Sequence, residues 1–323
     1  MSNHTLSAIV YGLRYEAAHI ISVELRPLEP NGVFPAYAPG AHIDLHLPNG
    51  IVRSYSLTNP LEQPDRYVVA VLNDRNSRGG SRYIHAQLRI GTELQISAPR
   101  NHFPLHEEAP HSFLLAGGIG ITPLYAMLQK LAQRDQSADL LLCVRTRPDA
   151  AFVQALQALQ GPGRTVRLHI DDEAGGPPDL HAILAAQPAQ SHFYCCGPQP
   201  MIQAFEQTCE QLGHTQVHVE RFSAELPPMP SASEAHSYTV ELRQSGREIQ
   251  VRTSQPLLDT LLAEGIDAPH SCREGICGAC ETPVLEGEVD HRDSILSATE
   301  RAAHRCMMVC VSHGKSPRLV LDL

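Results

Sequence analysis

Nine residues, Cys272-Arg273-Glu274-Gly275-Ile276-Cys277-Gly278-Ala279-Cys280, restrict this chain more than any other stretch. Four residues separate the first two thiols and two separate the next pair. That is the plant-type [2Fe–2S] ligand spacing when a fourth cysteine lies further on, and Cys310 fills that place. A two-iron cluster needs two thiolates on each iron, so three ligands wrap one tight loop and the fourth reaches in from a separate strand. Gly275 and Gly278 suit such a loop, because glycine takes backbone angles other residues resist and lets amides approach the sulfurs. Two other uses of four thiols stay open. Zinc ribbons usually pair two short knuckles, whereas Cys310 has only Cys306, four residues upstream, beside it. A disulfide framework belongs to secreted chains, and nothing else here looks secreted.

At 323 residues, 42% of them hydrophobic, the chain has room for two or three domains with ordinary cores. Its formal charge of −10 comes with no clustered basic stripe, which argues against nucleic acid and anionic membrane as partners. The N-terminus has no basic segment leading into an apolar core, and no apolar run is long enough to cross a bilayer. Nine cysteines, an odd number that includes the adjacent pair Cys195-Cys196, suit a reducing cytoplasm. The 18 histidines are scattered and read as surface or half-buried residues rather than ligands.

From residue 6 to about 105, short alternating strands at 20–25, 42–47, 52–57, 67–72 and 94–97 are broken by Pro, Gly and Asn. They predict a small closed antiparallel barrel. Within it, Arg53 and Tyr55 share one strand face, a cation beside an aromatic hydroxyl that suits a phosphate and a flat ring. Arg78-Gly79-Gly80-Ser81 precedes a short helix whose exposed amides favour an anion. Each segment alone also reads as an ordinary strand or turn.

From residue 112 the period changes. The apolar run 113–116, then Gly117-Gly118-Ile119-Gly120-Ile121-Thr122-Pro123 and a helix to about 134, opens a strand–helix alternation. It continues through 140–144, 152–159, 166–170, 180–186, 193–196, 201–212 and 217–220. This predicts a parallel sheet with helices on both faces and ligands at the strands' carboxyl ends. Gly118 and Gly120 let backbone approach a pyrophosphate, although Pro123 stands where the Rossmann fingerprint has a third small residue. Arg145-Thr146-Arg147, past the second strand, has the chemistry to accept a 2′-phosphate. A Pro- and Ser-rich linker follows at 226–236. Strands then return at 238–243 and 247–251, with a helix near 256–263 and a last strand at 318–323.

These pieces in this order resemble the phthalate dioxygenase reductase family of ferredoxin–NADP reductase-like flavoproteins, over essentially the whole chain. The elements that carry the resemblance are Arg53-Ser54-Tyr55-Ser56-Leu57, Arg78-Gly79-Gly80-Ser81, the glycine turn at 117–123, Cys195-Cys196-Gly197-Pro198, Glu220-Arg221-Phe222 and the cysteine set. The resemblance implies an FMN-binding β-barrel domain (1–105), an NAD-binding α/β domain (106–225), the linker, and an α+β, β-grasp [2Fe–2S] ferredoxin domain (237–323). Arg53, Gly79, Gly80 and Ser81 would grip the FMN phosphate, and Tyr55 and Ser56 would sit against the isoalloxazine. Phe222 would cover the flavin face until nicotinamide displaces it. Gly118, Gly120, Thr122 and Cys196 would line the dinucleotide site, while Cys272, Cys277, Cys280 and Cys310 hold the cluster.

NADH gives two electrons as hydride and the cluster takes one at a time, so a flavin must stand between them. The implied acceptor is a separate terminal oxygenase of the Rieske non-haem iron type, served by a monomeric reductase. A demethylating monooxygenase, a cytochrome P450 or a soluble ferredoxin are alternative acceptors. A redox-sensing iron–sulfur flavoprotein and a zinc-stapled binding module are readings from other classes. No acid–base triad is expected.

Overall fold

The computed structural model describes residues 5–59, 65–75, 77–223 and 236–323, in two compact units, Met1–Phe222 and Ser223–Leu323. The expected linker, apart from His236, lies outside the described residues.

The first unit opens with six strands: β1 (Thr5–Ala17), β2 (Ile20–Pro27), β3 (His42–His46), β4 (Val52–Ser56), β5 (Tyr67–Leu72) and β6 (Glu93–Ser97). Helix α1 (Gly80–Gln87) lies between the last two strands. The strands pair in the order β4-β3-β6-β1-β2-β5, and just beyond β4 Leu57 bridges Val69 of β5, returning the sheet on itself. Alternate residues such as Val23 and Leu25, Ile43 and Leu45, and Val69 and Val71 fill the interior. β1 is the longest strand, and sequence alternation does not single it out. Its register against β2 slips at Val10/Gly12 and again at Tyr15/Ala17, and each slip moves the following side chains to the other face.

Five parallel strands follow: β7 (His111–Gly117), β8 (Ala138–Val144), β9 (Arg164–Ile170), β10 (Ser191–Cys196) and β11 (Val217–Glu220). Helices α2 (Ile121–Gln133), α3 (Val153–Ala158), α4 (Asp171–Ala174), α5 (Leu180–Ala185) and α6 (Gln199–Gln211) run between them. The order is β11-β10-β7-β8-β9, so the chain reverses direction across the sheet between β7 and β10. Every residue of β7 is buried, which explains the apolar run 113–116 within it.

One face of this sheet shares its core with the barrel. Ala17, Ile20 and Ala70 from the barrel strands pack in the same cluster as Leu124, Met127 and Leu128 of α2. Two polar ties reinforce the seam: Gln129 Nε2 donates to the Thr58 carbonyl at 2.8 Å, and the Ala18 amide donates to the Pro148 carbonyl at 2.8 Å. Barrel and parallel sheet are therefore one packed body.

The second unit contains β12 (Ser237–Leu242), β13 (Arg247–Arg252), α7 (Leu257–Ala263), β14 (Glu281–Glu286), β15 (Val289–Asp290), α8 (Ala298–Ala303), β16 (Cys306–Met308), β17 (His313–Gly314) and β18 (Arg318–Leu321). Its main sheet runs β13-β12-β18-β14-β16, with β12 and β18 parallel. Leu257, Leu258 and Leu261 of α7 are buried in the same core as Val240, Val251 and Leu319, the α+β grasp that the resemblance implies.

The shared core makes Ile20 a test of the seam, since it is 2% exposed yet belongs to a barrel strand. Ile20→Ala should cost the first unit about 2–5 kcal/mol, lowering its melting temperature by on the order of 10 °C in differential scanning calorimetry while leaving one transition for that unit. Separate transitions for barrel and sheet in the wild-type protein would contradict a common core.

Candidate functional site

The iron–sulfur loop spans α7 to β14, and its backbone holds the thiols by force of conformation. Gly275 has φ +68°, and a Cβ there would stand 2.7 Å from Val311 Cγ2 and 3.0 Å from Asp293 Cα. Any other residue would push the loop off the segment that carries Cys310. Asp293 braces it from beneath: its Oδ2 accepts the amides of Ile295 (3.1 Å) and Leu296 (2.9 Å), and the next amide, Ser294, donates to the Gly275 carbonyl at 2.9 Å. The run Asp290-His291-Arg292-Asp293 is partly buried, Asp293 most of all, with the His291 ring 3.7 Å from its Oδ1.

All four thiols are buried, and they fall into two pairs. Cys280 Sγ donates to Cys310 Sγ at 3.1 Å, and Cys277 hydrogen-bonds Cys272. The bond from each donor thiol holds its acceptor, Cys272 or Cys310, below the usual thiol range, while Cys277 and Cys280 are pushed up by donating and by burial. Backbone amides add to this: Glu274 donates to Cys272 Sγ at 3.3 Å, Ile276 also reaches Cys272, Ala279 reaches Cys277 and Gly275 reaches Cys310. Two dithiol pairs with amides directed at sulfur are the donor set a two-iron cluster requires, one pair for each iron. Cys306 stands apart on β16, bonded to Glu281, and burial raises its thiol to about 11.

In the barrel, Arg53 and the Gly79-Gly80 turn meet. A Cβ on Gly80 would lie 2.6 Å from Arg53 Cγ, so the guanidinium stem needs that glycine beside it. Ser77 Oγ accepts the Gly79 amide at 3.1 Å, while the amides of Gly80 and Ser81, in the first turn of α1, have no carbonyl one turn earlier to bond. Tyr55 follows Arg53 on the same strand face, and burial pushes its hydroxyl up against the opposing effect of Arg53. Ser56, on the other face, is 4% exposed with its Oγ lacking a hydrogen-bond partner. An arginine, free helix-start amides, an aromatic and an orphaned buried hydroxyl fit a flavin mononucleotide.

The glycine turn leaves β7 at the point where strand order reverses, the crevice in which open α/β sheets bind ligands. Its partner across the crevice is the loop after β10. A Cβ on Gly120 would collide with the Cys196 carbonyl, so the two loops touch backbone to backbone. Gly118 faces open space at φ +54°. The structure places the other two expected nucleotide residues differently. Thr122 is 2% exposed and donates through Oγ1 to the Ile119 carbonyl at 3.0 Å, closing the turn from inside. Cys196 is fully buried, its thiol packed in the core shared with the barrel and raised well above its ordinary pKa by burial. Past β8, Arg147 is held by Glu173 in a two-point ion pair of 2.9 and 2.6 Å.

Residues 240–314 match the family described as a 2Fe-2S iron-sulfur cluster binding domain, and residues 114–207 match the oxidoreductase NAD-binding domain family. A curated relative from Sphingobium chlorophenolicum, tetrachlorobenzoquinone reductase, is 47% identical over 99% of this chain and 98% of its own. A second, phenoxybenzoate dioxygenase subunit beta from Ectopseudomonas oleovorans, is 45% identical over 98% of this chain and 97% of its own. Among solved structures, phthalate dioxygenase reductase superposes with a TM-score of 0.71 at 33% identity, covering 99% of this chain and 98% of that one.

The chain belongs to the phthalate dioxygenase reductase family. It is a multidomain oxidoreductase of that fold, and the cofactor set that goes with the family is FMN, NADH and a [2Fe–2S] cluster. Among the described residues no helix is long and apolar enough to cross a membrane.

Glu220 stands in the Glu220-Arg221-Phe222 motif, where the sequence assigns it no role. It ends β11 beside Cys196, with its Oε2 sealed from solvent and without a hydrogen-bond partner. Burial raises its carboxyl from 4.5 to about 8. In the unfolded chain the same carboxyl ionises near 4.5, so the folded state holds one more proton between those limits and loses stability as pH climbs from about 5 to 8. Glu220→Gln should therefore melt close to wild type at pH 5 and above it at pH 8. Parallel melting-temperature curves across that range would mean the carboxyl is ionised in the folded protein.

Proposed function

We propose that this protein is the reductase component of a multicomponent, Rieske-type aromatic-ring oxygenase, passing electrons from NADH through FMN and the [2Fe–2S] cluster to a separate non-haem iron oxygenase. The observation that carries the reading is the plant-type thiol quartet on the same chain as a flavin barrel and a nucleotide-binding sheet. The flavin, when bound, accepts two electrons from NADH and releases them singly. The names of the relatives, a dioxygenase subunit and a dioxygenase reductase, support an oxygenase as acceptor.

In this reading the working domains are 1–105, 106–225 and 237–323, joined by 226–236, in a monomer. Nine free cysteines suit a reducing cytoplasm. Arg53, Gly79, Gly80 and Ser81 hold the FMN phosphate; Tyr55 and Ser56 orient the ring, with Phe222, 40% exposed at the end of the first unit, as its cover. Gly118 and Gly120 keep the crevice open to the dinucleotide, Thr122 locks their turn, and Cys196 contributes its backbone from beneath. Glu173 neutralises Arg147, which favours NADH over a 2′-phosphate. Cys272 and Cys277 take one iron, Cys280 and Cys310 the other.

The name of the Sphingobium relative favours a second reading, direct reduction of a quinone. Assaying wild type with quinone and no oxygenase present separates the two.

Under anaerobic conditions NADH should bleach both the flavin bands and a long-wavelength cluster shoulder. Cys310→Ser should keep NADH-dependent flavin bleaching, yet lose acid-labile sulfide and reduction of a purified Rieske oxygenase. Oxygenase reduction at the wild-type rate by that variant would remove the cluster from the path, and wild-type protein without iron would end the proposal.

A further inference from the structure

Three histidines far apart in sequence converge in the first unit. His192 is the second residue of β10, His218 the second residue of β11, and His106 lies on the segment leading from the barrel to β7. One ligand nitrogen from each can be chosen so that all three lie within 4.8 Å of one another. Their ring centroids are 4.8 Å (His106–His192), 4.7 Å (His106–His218) and 5.3 Å (His192–His218) apart.

The cluster is built rather than incidental. Tyr194, two residues after His192 on the same face, stacks on the His218 ring at 4.6 Å, and its hydroxyl accepts the His106 amide at 2.9 Å. One tyrosine thus fixes a ring on β11 and the backbone under the third histidine. His192 Nδ1 and His218 Nε2 face each other at 3.1 Å, one donating its N–H and the other accepting with its lone pair. Neutral imidazole is the form that binds metal, one ring nitrogen coordinating while the other keeps its proton.

We propose that His106, His192 and His218 form a divalent transition-metal site, selective for zinc-type ions, with a solvent-side fourth position. Tetrahedral zinc with nitrogens at about 2.0–2.1 Å separates two ligand atoms by roughly 3.4 Å. The His192–His218 pair is already at nearly that spacing, and the exposed His106 needs to close by on the order of 1 Å, within reach of a rotamer change. Three imidazoles with one open position suit Zn²⁺, Ni²⁺ or Cu²⁺ over the oxygen-seeking Mg²⁺ and Ca²⁺. On binding, the ring that donates in this bond takes its other tautomer, its proton moving to the second ring nitrogen, so the ion replaces the hydrogen bond with no net loss of a proton. The site lies toward the amino ends of its strands, whereas the nucleotide crevice is at their carboxyl ends. At about 3.3 Å per residue, His192 is roughly 13 Å along β10 from Cys196, so the ion is neither part of the hydride site nor a ligand shared with it.

The test uses intact protein carrying flavin and cluster, stripped with a mild chelator, desalted and titrated with ZnCl₂ by calorimetry, with zinc K-edge absorption on the loaded sample. Wild type should bind one equivalent more than His192→Ala/His218→Ala, with a first shell of nitrogen and oxygen near 2.0 Å. His106→Ala, exposed and on a loop, should fold normally and bind zinc roughly tenfold or more weakly. Equal affinity in wild type and His106→Ala, a sulfur first shell, or no zinc uptake by wild type at about 100 μM would each overturn the site and leave a packing stack of rings. None of these readouts depends on electron transfer, so failure here does not touch the proposed function.

Discussion

Four buried sulfurs can approach one another only if something holds the chain in a conformation it would not choose. That constraint organises the second unit. Three of the cysteines lie on a single loop in which Arg273, Gly275 and Gly278 all have positive φ, and the close approach of Val311 and Asp293 leaves no room for a Cβ at Gly275. The resulting curl directs amides at the sulfurs and places Cys280 beside Cys310, thirty positions away in sequence. Burying thiols without a countercharge disfavours ionisation, so the amides and an incoming metal centre together make thiolate ligation favourable.

The first unit answers a different problem, which is to present two flat or charged cofactors to each other without letting the supporting layers slide. A barrel and a parallel sheet joined by a chain segment alone would move independently. Here one face of the sheet and part of the barrel wall share a core through Ala17, Ile20, Ala70 and α2, with Gln129 and Ala18 satisfying polar groups across the seam. The backbone contact between Gly120 and Cys196 then fixes the floor of the nucleotide crevice. Glu220, a carboxyl without a partner in a poorly solvated position, adjoins that floor. Such a group holds a proton at neutral pH and is able to donate a hydrogen bond where an ionised carboxylate accepts only.

The relation between cysteines and histidines is instructive. Both are ligand-forming side chains, yet the cysteines announce themselves by spacing and the histidines do not. Cys272, Cys277 and Cys280 occupy one loop, so local sequence fixes most of the set. His106, His192 and His218 come from three elements whose proximity depends on β10 and β11 being neighbours in the sheet.

Legible in the residues themselves were the antiparallel barrel, the parallel sheet after it, the spacing of the four cysteines, the Arg53 strand and the Gly79-Gly80 turn, and the glycine turn after β7, while the grasp fold followed from the resemblance. These rest on short-range chemistry: alternation in strands, turn glycines and ligand spacing. Strand β1 escaped because its bulges break the alternation on which such reading depends. Only the packed structure shows that Cys196 and Thr122 turn inward, that Arg147 is claimed by Glu173, that Glu220 Oε2 is sealed from solvent, and that three histidines meet. Each of those facts is set by which strand lies beside which, and by what covers a side chain once the sheet is packed, and neither is written in the spacing of residues along the chain.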